Sequence, residues 1–117
     1  MLEIGPGLGA LTEPLLARAR RVCAVEIDPA LCQALQALFG QEPRFTLLQG
    51  DFLKADWEEI QAILGEPFSV AANLPYYVTT PICLRLLSCG LPIPRMALMA
   101  QAECADRFFA QPGSRQY

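Results

Sequence analysis

Short apolar runs alternate with amphipathic stretches along this chain, the pattern of strands separated by helices. Leu2 to Ile4 reads as the tail of a first strand. Leu8, Leu11 and Leu15 then share one helical face, which predicts a helix running to about Ala19, and Val22 to Val25 reads as a buried strand. Asp28 and Pro29 form a helix start, with Asp28 as N-cap. Leu31, Ala34, Leu35, Leu38 and Phe39 mark its core-facing stripe, which ends at Gly40. Phe45 to Gln49 predicts a third strand, and Asp56 and Glu59 are spaced as a capping box before a short helix ending near Gly65. Phe68 to Ala72 predicts a fourth strand, and Thr80-Pro81 the opening of a helix that stops at Gly90. Met96 to Ala100 predicts a fifth strand, and Ala102 to Ala110 a last helix on which Glu103 and Arg107 pair.

Strands alternating with helices imply right-handed crossovers, hence an α/β fold with a doubly wound, mainly parallel sheet covered on both faces. Ligands of such sheets bind at the carboxyl ends of the strands. No internal repeat or linker divides the chain, and 117 residues support one domain. Composition agrees with a packed core, at 53% hydrophobic and 18% charged residues. The chain has no histidine, which excludes imidazole-based acid–base catalysis, the Ser-His-Asp and Cys-His triads and imidazole-built zinc sites. No metal site is expected. The five cysteines, Cys23, Cys32, Cys83, Cys89 and Cys104, sit in or beside apolar runs without a Cys-x-x-Cys pair, as buried reduced thiols do. No apolar run reaches the roughly 18 residues of a membrane span, and a cytoplasmic location without membrane contact is expected. A net charge of −3 gives this segment no basic surface for nucleic acid.

Candidate chemistry gathers at the predicted strand ends. Glu3-Ile4-Gly5-Pro6-Gly7-Leu8-Gly9 is a glycine-rich turn leading from a strand into a helix, where glycine permits the tight turn and the close approach of a ligand. Gly5-x-Gly7-x-x-Ala10 also satisfies the dinucleotide fingerprint. Glu26, about twenty residues later, ends the second strand, where a carboxylate accepts both hydroxyls of a ribose. Gly50-Asp51-Phe52 follows the third strand. Asp51 there either accepts from an adenine amino group, with Phe52 packed on the ring, or caps the local backbone as a turn carboxylate. Asn73-Leu74-Pro75-Tyr76 follows the fourth strand, and a simple turn does not require an Asn, a Pro and an aromatic residue together.

The segments MLEIGPGLGALTEPLL, AVEID, QGDFL, ANLPYYVTTP and AQAECADRFFAQPGSRQY, in that order, resemble the ribosomal-RNA adenine N6-dimethyltransferases that use S-adenosylmethionine. The resemblance covers essentially the whole chain and is most specific at Asn73-Leu74-Pro75-Tyr76; the closing PGSRQY is similar to the housekeeping branch, which dimethylates two adjacent adenines near the 3′ end of small-subunit rRNA. It implies a Rossmann-like methyltransferase fold, truncated at both ends. The 117 residues would be a partial S-adenosylmethionine-binding domain, without the family's N-terminal lid segment and C-terminal helical RNA-binding domain, and would be poorly active alone. The partner implied is small-subunit rRNA within a pre-ribosomal particle.

Residue by residue, the resemblance implies that Gly5 and its neighbours Glu3 and Gly7 hold the methionine portion of the cofactor and that Glu26 holds the ribose. Asp51 would contact the adenine amino group, Ile27 and Phe52 would enclose the ring, and Asn73 would lie between cofactor and target. Asn73 Oδ1 and the Leu74 carbonyl would take the two N–H bonds of the target amine, and Tyr76 would stack on the extruded base. Ala102 and Tyr77 depart from the family's usual lysine and frequent asparagine. Three other readings remain: a macrolide-resistance methylase of large-subunit rRNA, an RNA-binding assembly module without catalysis, and an NAD-dependent dehydrogenase. The dehydrogenase leaves Asp51 and Asn73 to Tyr76 unexplained.

Overall fold

The computed structural model describes residues 1–65, 67–74 and 76–100, with the side chains of 76–79 and 98–100 outside that description. Its strands are β1 (Leu2–Ile4), β2 (Val22–Glu26), β3 (Phe45–Gln49), β4 (Val70–Leu74) and β5 (Met96–Ala100). The helices between them are α1 (Thr12–Arg18), α2 (Pro29–Phe39), α3 (Trp57–Leu64) and α4 (Tyr76–Ser88). All neighbouring strands pair in parallel, in the order β3-β2-β1-β4-β5. The chain therefore builds outward from β1 in one direction and then restarts on its other side at β4.

Strand alternation separates two cores. Leu2 and Ile4 of β1, Cys23 and Val25 of β2, and Val70, Ala72 and Leu74 of β4 face one layer, where Ile60 of α3 and Ile82 and Leu86 of α4 close over them. Val22 and Ala24 face the opposite layer with Leu16 of α1, Leu35 of α2 and Phe45. All five residues of β2 are buried, as a central strand covered on both faces requires. Burial also pushes the Cys23 thiol up to about 12. Cys23, Cys32, Cys83 and Cys89 form no disulfide among the described residues, and the first two are buried, while Cys104 lies outside those residues.

The five expected strands and the four expected helices that fall among the described residues are present, with shifted boundaries that carry physical reasons. Helix α1 begins only at Thr12, because the glycine turn continues through Gly9; its buried residues are Thr12 and Leu16, and Leu8 is exposed. Asp28 caps α2 through the Ala30 N–H at 2.8 Å, as predicted. Asp56 caps α3 through the Glu58 N–H at 2.9 Å, but among the described residues Glu59 does not return the second bond of a capping box. Strand β4 lies two residues later than expected, a shift that conserves which face each residue presents, so Phe68 stays in the core outside the strand. Helix α4 starts four residues before Thr80 and contains Pro81 in its interior. A proline there withholds one helical N–H, a cost the helix bears while Ile82 and Leu86 are buried. The helix predicted for Ala102 to Ala110, with its Glu103–Arg107 pair, lies outside the described residues.

Candidate functional site

A cavity of about 390 Å³ opens at the carboxyl ends of β1, β2 and β4, where the strand order reverses. Its size falls within the range of about 300 to 1,000 Å³ common for small-ligand sites. Ile4, Gly5 and Gly7 form one wall, Val25, Glu26, Ile27 and Leu31 a second, Gly50 to Leu53 a third, and Asn73, Leu74 and Ile82 the last. Gly5, Gly7, Glu26, Ile27, Asp51, Phe52, Asn73 and Leu74, dispersed in the sequence, thus meet around one space.

Local structure explains each placement. Gly5 has a φ of +69°, a left-handed conformation that glycine adopts without strain, and this lets the turn leave β1 beside Asn73 and Leu74 of β4. Glu26 is 5% exposed, and both its oxygens are engaged: Oε1 accepts from the Gly7 N–H at 3.0 Å and Oε2 from the Asp28 N–H at 3.1 Å. This carboxylate ties the glycine turn to the start of α2. Each oxygen keeps a further lone pair for a ligand donor. Asp51 Oδ1 accepts from the Leu53 N–H at 2.9 Å, capping a 3-10 turn over Phe52–Lys54 that periodicity did not reveal. Oδ2 has no partner among the described residues, so Asp51 serves as a turn cap and still presents an acceptor to the cavity. Phe52 is buried in the cavity wall, whereas Ile27 is 63% exposed at its mouth.

The catalytic expectations fall at the β4–α4 junction. Asn73 and Leu74 are the last two residues of β4, not part of a turn beyond it; Asn73 is exposed and lines the cavity, and Leu74 is buried. Tyr76 opens α4, but its side chain, like Pro75, lies outside the described residues. Among the described lining residues the charged groups are the two carboxylates of Glu26 and Asp51. The walls are otherwise mostly apolar, which suits a flat ring and an aliphatic chain decorated with N–H and O–H donors. Leu31, Leu53 and Ile82 also line the space. Their sequence signal is the ordinary apolar stripe of a helix or turn, which does not distinguish a cavity wall from a core.

Glu3 is placed apart from the cavity. Strand alternation turns it to the α1 face, where it is 1% exposed and its Oε1 accepts from the Thr12 hydroxyl at 2.5 Å. This bond bridges the two ends of the glycine turn. Burial pushes the Glu3 carboxyl above its ordinary range, and the Thr12 bond offsets part of that rise. A carboxyl whose folded value is raised stabilises the fold fully below its unfolded value, and that contribution is lost as pH rises through the folded value. Glu3→Gln removes the ionisation. The stability difference between Glu3→Gln and the native chain should therefore move in favour of the variant from about pH 4 to about pH 8. Urea denaturation across that range reads it, and a difference independent of pH would contradict it.

A parallel sheet with a switch point, a glycine turn and an acidic residue at the end of the second strand defines the nucleotide-cofactor-binding class of α/β domains. The family model for ribosomal RNA adenine dimethylase matches residues 1–117, and the chain belongs to that family. It is 46% identical over 119 residues to the ribosomal RNA small subunit methyltransferase A of Clostridium perfringens (strain SM101 / Type A) and 46% identical over 123 residues to that of Anoxybacillus flavithermus. Each alignment covers 100% of this chain and 41% of the relative, so the chain spans about two fifths of their length. Among solved structures, a dimethyladenosine transferase from Plasmodium falciparum superposes with a TM-score of 0.77 at 29% identity, over 99% of this chain and 40% of the other. The 23S rRNA methyltransferase ErmE does so with a TM-score of 0.75 at 34% identity, over 90% and 40%. The fold is the Rossmann-like fold of these rRNA methyltransferases.

Proposed function

We propose that the chain forms the S-adenosylmethionine-binding core of a small-subunit rRNA adenine N6,N6-dimethyltransferase. The observation that carries this reading is the meeting of the glycine turn, Glu26, Asp51 and Asn73-Leu74 around one cavity. Family membership and the small-subunit relatives support the same choice, and the small-subunit relatives at 46% identity favour it over the large-subunit type at 34%.

The residues fit the cofactor's donors. Bound S-adenosylmethionine supplies a methyl group already activated by its sulfonium, so the protein's work is binding and alignment. Gly5 and Gly7 leave the backbone open to the methionine portion. Glu26 accepts the ribose hydroxyls with the lone pairs its backbone bonds do not use. Asp51 Oδ2 would accept from the adenine amino group, and Phe52 and Ile27 would enclose the ring. Asn73 Oδ1 and the Leu74 carbonyl take the two N–H bonds of the target amine, which favours a pyramidal nitrogen whose lone pair points at the methyl group. Tyr76 stacks on the target adenine. Glu3 acts from behind the turn, through Thr12.

The remainder of the relatives' length supplies, in this proposal, the segment that covers the cofactor and the basic helical domain that binds RNA. A segment with net charge −3 does not gather phosphates by itself. The substrate proposed is small-subunit rRNA within a pre-ribosomal particle in the cytoplasm. The test offers labelled S-adenosylmethionine with unmethylated small and large ribosomal subunits as competing acceptors. Label recovered as dimethyladenine in small-subunit rRNA supports the reading; label in large-subunit rRNA alone would replace it with the resistance-methylase reading.

A further inference from the structure

Arg85, three residues beyond the cavity residue Ile82 on α4, ties that helix to the segment that leaves Asp51. Its two terminal nitrogens donate to the carbonyl oxygens of Leu53 and Ala55, on that segment. Its guanidinium carbon lies 5.5 Å from the centre of the Phe52 ring and 5.2 Å from that of Trp57, and those rings meet edge to face at 5.5 Å. The Nε atom is buried without a partner among the described residues. A hydrocarbon side chain would fill the same gap without leaving that N–H unpaired. What a guanidinium adds is its fork: two donors at fixed spacing, aimed at two carbonyls, with a flat face against aromatic rings.

The strapped segment is a wall of the cavity. Asp51 caps the 3-10 turn, Phe52 and Leu53 line the space, and the arginine grips the carbonyls of Leu53 and Ala55 just beyond. We propose that Arg85 is a positioning residue which clamps the Asp51–Ala55 wall to α4 and thereby sets the adenine side of the cofactor site. The inference deepens the reading of the cavity as an S-adenosylmethionine site and rests on it. Arg85 is not among the residues that line the cavity. It acts through the carbonyls and rings of the wall, so its loss lets that wall drift; the Glu26 carboxylate on the adjoining wall is held instead by the Gly7 and Asp28 N–H groups.

Two readouts separate this inference from the reading beneath it. The first is ligand-free. Trp57 is the chain's single tryptophan, so its emission reports directly on the packing under Arg85. Arg85→Met should shift that emission to longer wavelength in a chain that remains folded by circular dichroism. Arg85→Lys, which keeps the stem and charge but not the fork, should give a smaller shift. Unchanged emission in both variants would overturn the clamp whatever the chain binds. The second is a calorimetric cycle with S-adenosylhomocysteine. Arg85→Met should weaken binding roughly five- to ten-fold, and Asp51→Asn should then cost less on that background than on the native one. Glu26→Gln should show a smaller coupling to Arg85 than Asp51→Asn does, because its carboxylate is anchored on the Gly7 and Asp28 N–H groups and not on the clamped segment. Affinity less than five-fold below native in Arg85→Met, or equal coupling to Asp51 and Glu26, would overturn the positioning role. A native chain that binds no S-adenosylhomocysteine would instead overturn the cofactor reading, while the emission result would still decide whether the clamp exists.

Discussion

Asn73→Ala is expected to slow methyl transfer roughly 10²- to 10³-fold, the loss typical when one preorganised hydrogen-bond partner of a reacting group is removed. The adenine amine is a poor nucleophile while its lone pair is conjugated with the ring. An acceptor placed at the end of β4 changes that geometry only at the reacting nitrogen. Asn73 is exposed and lines the cavity, so the substitution should leave the folded core unchanged. Single-turnover transfer at saturating cofactor isolates the chemical step. Tyr76 should behave differently: Tyr76→Ala weakens engagement of the target base, whereas Tyr76→Phe retains most activity, because stacking uses the ring face and not the hydroxyl. Transfer at the native rate in Asn73→Ala, or equal damage in the two Tyr76 variants, would contradict the roles assigned to this junction.

Glu26→Ala carries the second large effect, a loss of roughly ten- to a hundred-fold in cofactor affinity. A hydrogen bond to a charged group contributes about 1.5 to 3 kcal/mol, which sets that range. The structure adds a further reason. Glu26 also receives the N–H groups of Gly7 and Asp28, so its removal loosens the glycine turn as well as the ribose contact. Glu26→Gln should fall between the two, since an amide nitrogen must then face one of those N–H groups.

The layout of the fold is legible in the sequence because buried parallel strands and amphipathic helices carry different periods. The glycine turn, Glu26, Asp51 and Asn73 could be placed at strand ends before any coordinates, and the cavity joins them. Other features depend on information that periodicity does not hold. The 3-10 turn at Phe52–Lys54 is set by an Asp51 side chain bonding its own backbone, a local event too short to show a period. The start of α4 at Tyr76 runs against Pro81, whose usual place is a helix's first turn; burial of Ile82 and Leu86 overrides that preference. Glu3 lies in the glycine motif yet faces Thr12, because one step along a strand reverses the side chain's direction. Arg85 gives no signal at all, since its meaning lies in contacts across about thirty residues of sequence with Leu53 and Ala55.

The central claim is that the cavity at the strand switch point receives S-adenosylmethionine, and the glycine turn with Glu26 would serve an NAD enzyme equally well. The most direct measurement is a pair of calorimetric titrations of the native chain and Glu26→Ala, one with S-adenosylmethionine and one with NAD. The native chain should bind S-adenosylmethionine saturably, the variant roughly ten- to a hundred-fold more weakly, and neither should bind NAD comparably. Equal affinity of the two proteins for S-adenosylmethionine, or tighter binding of NAD, would contradict it.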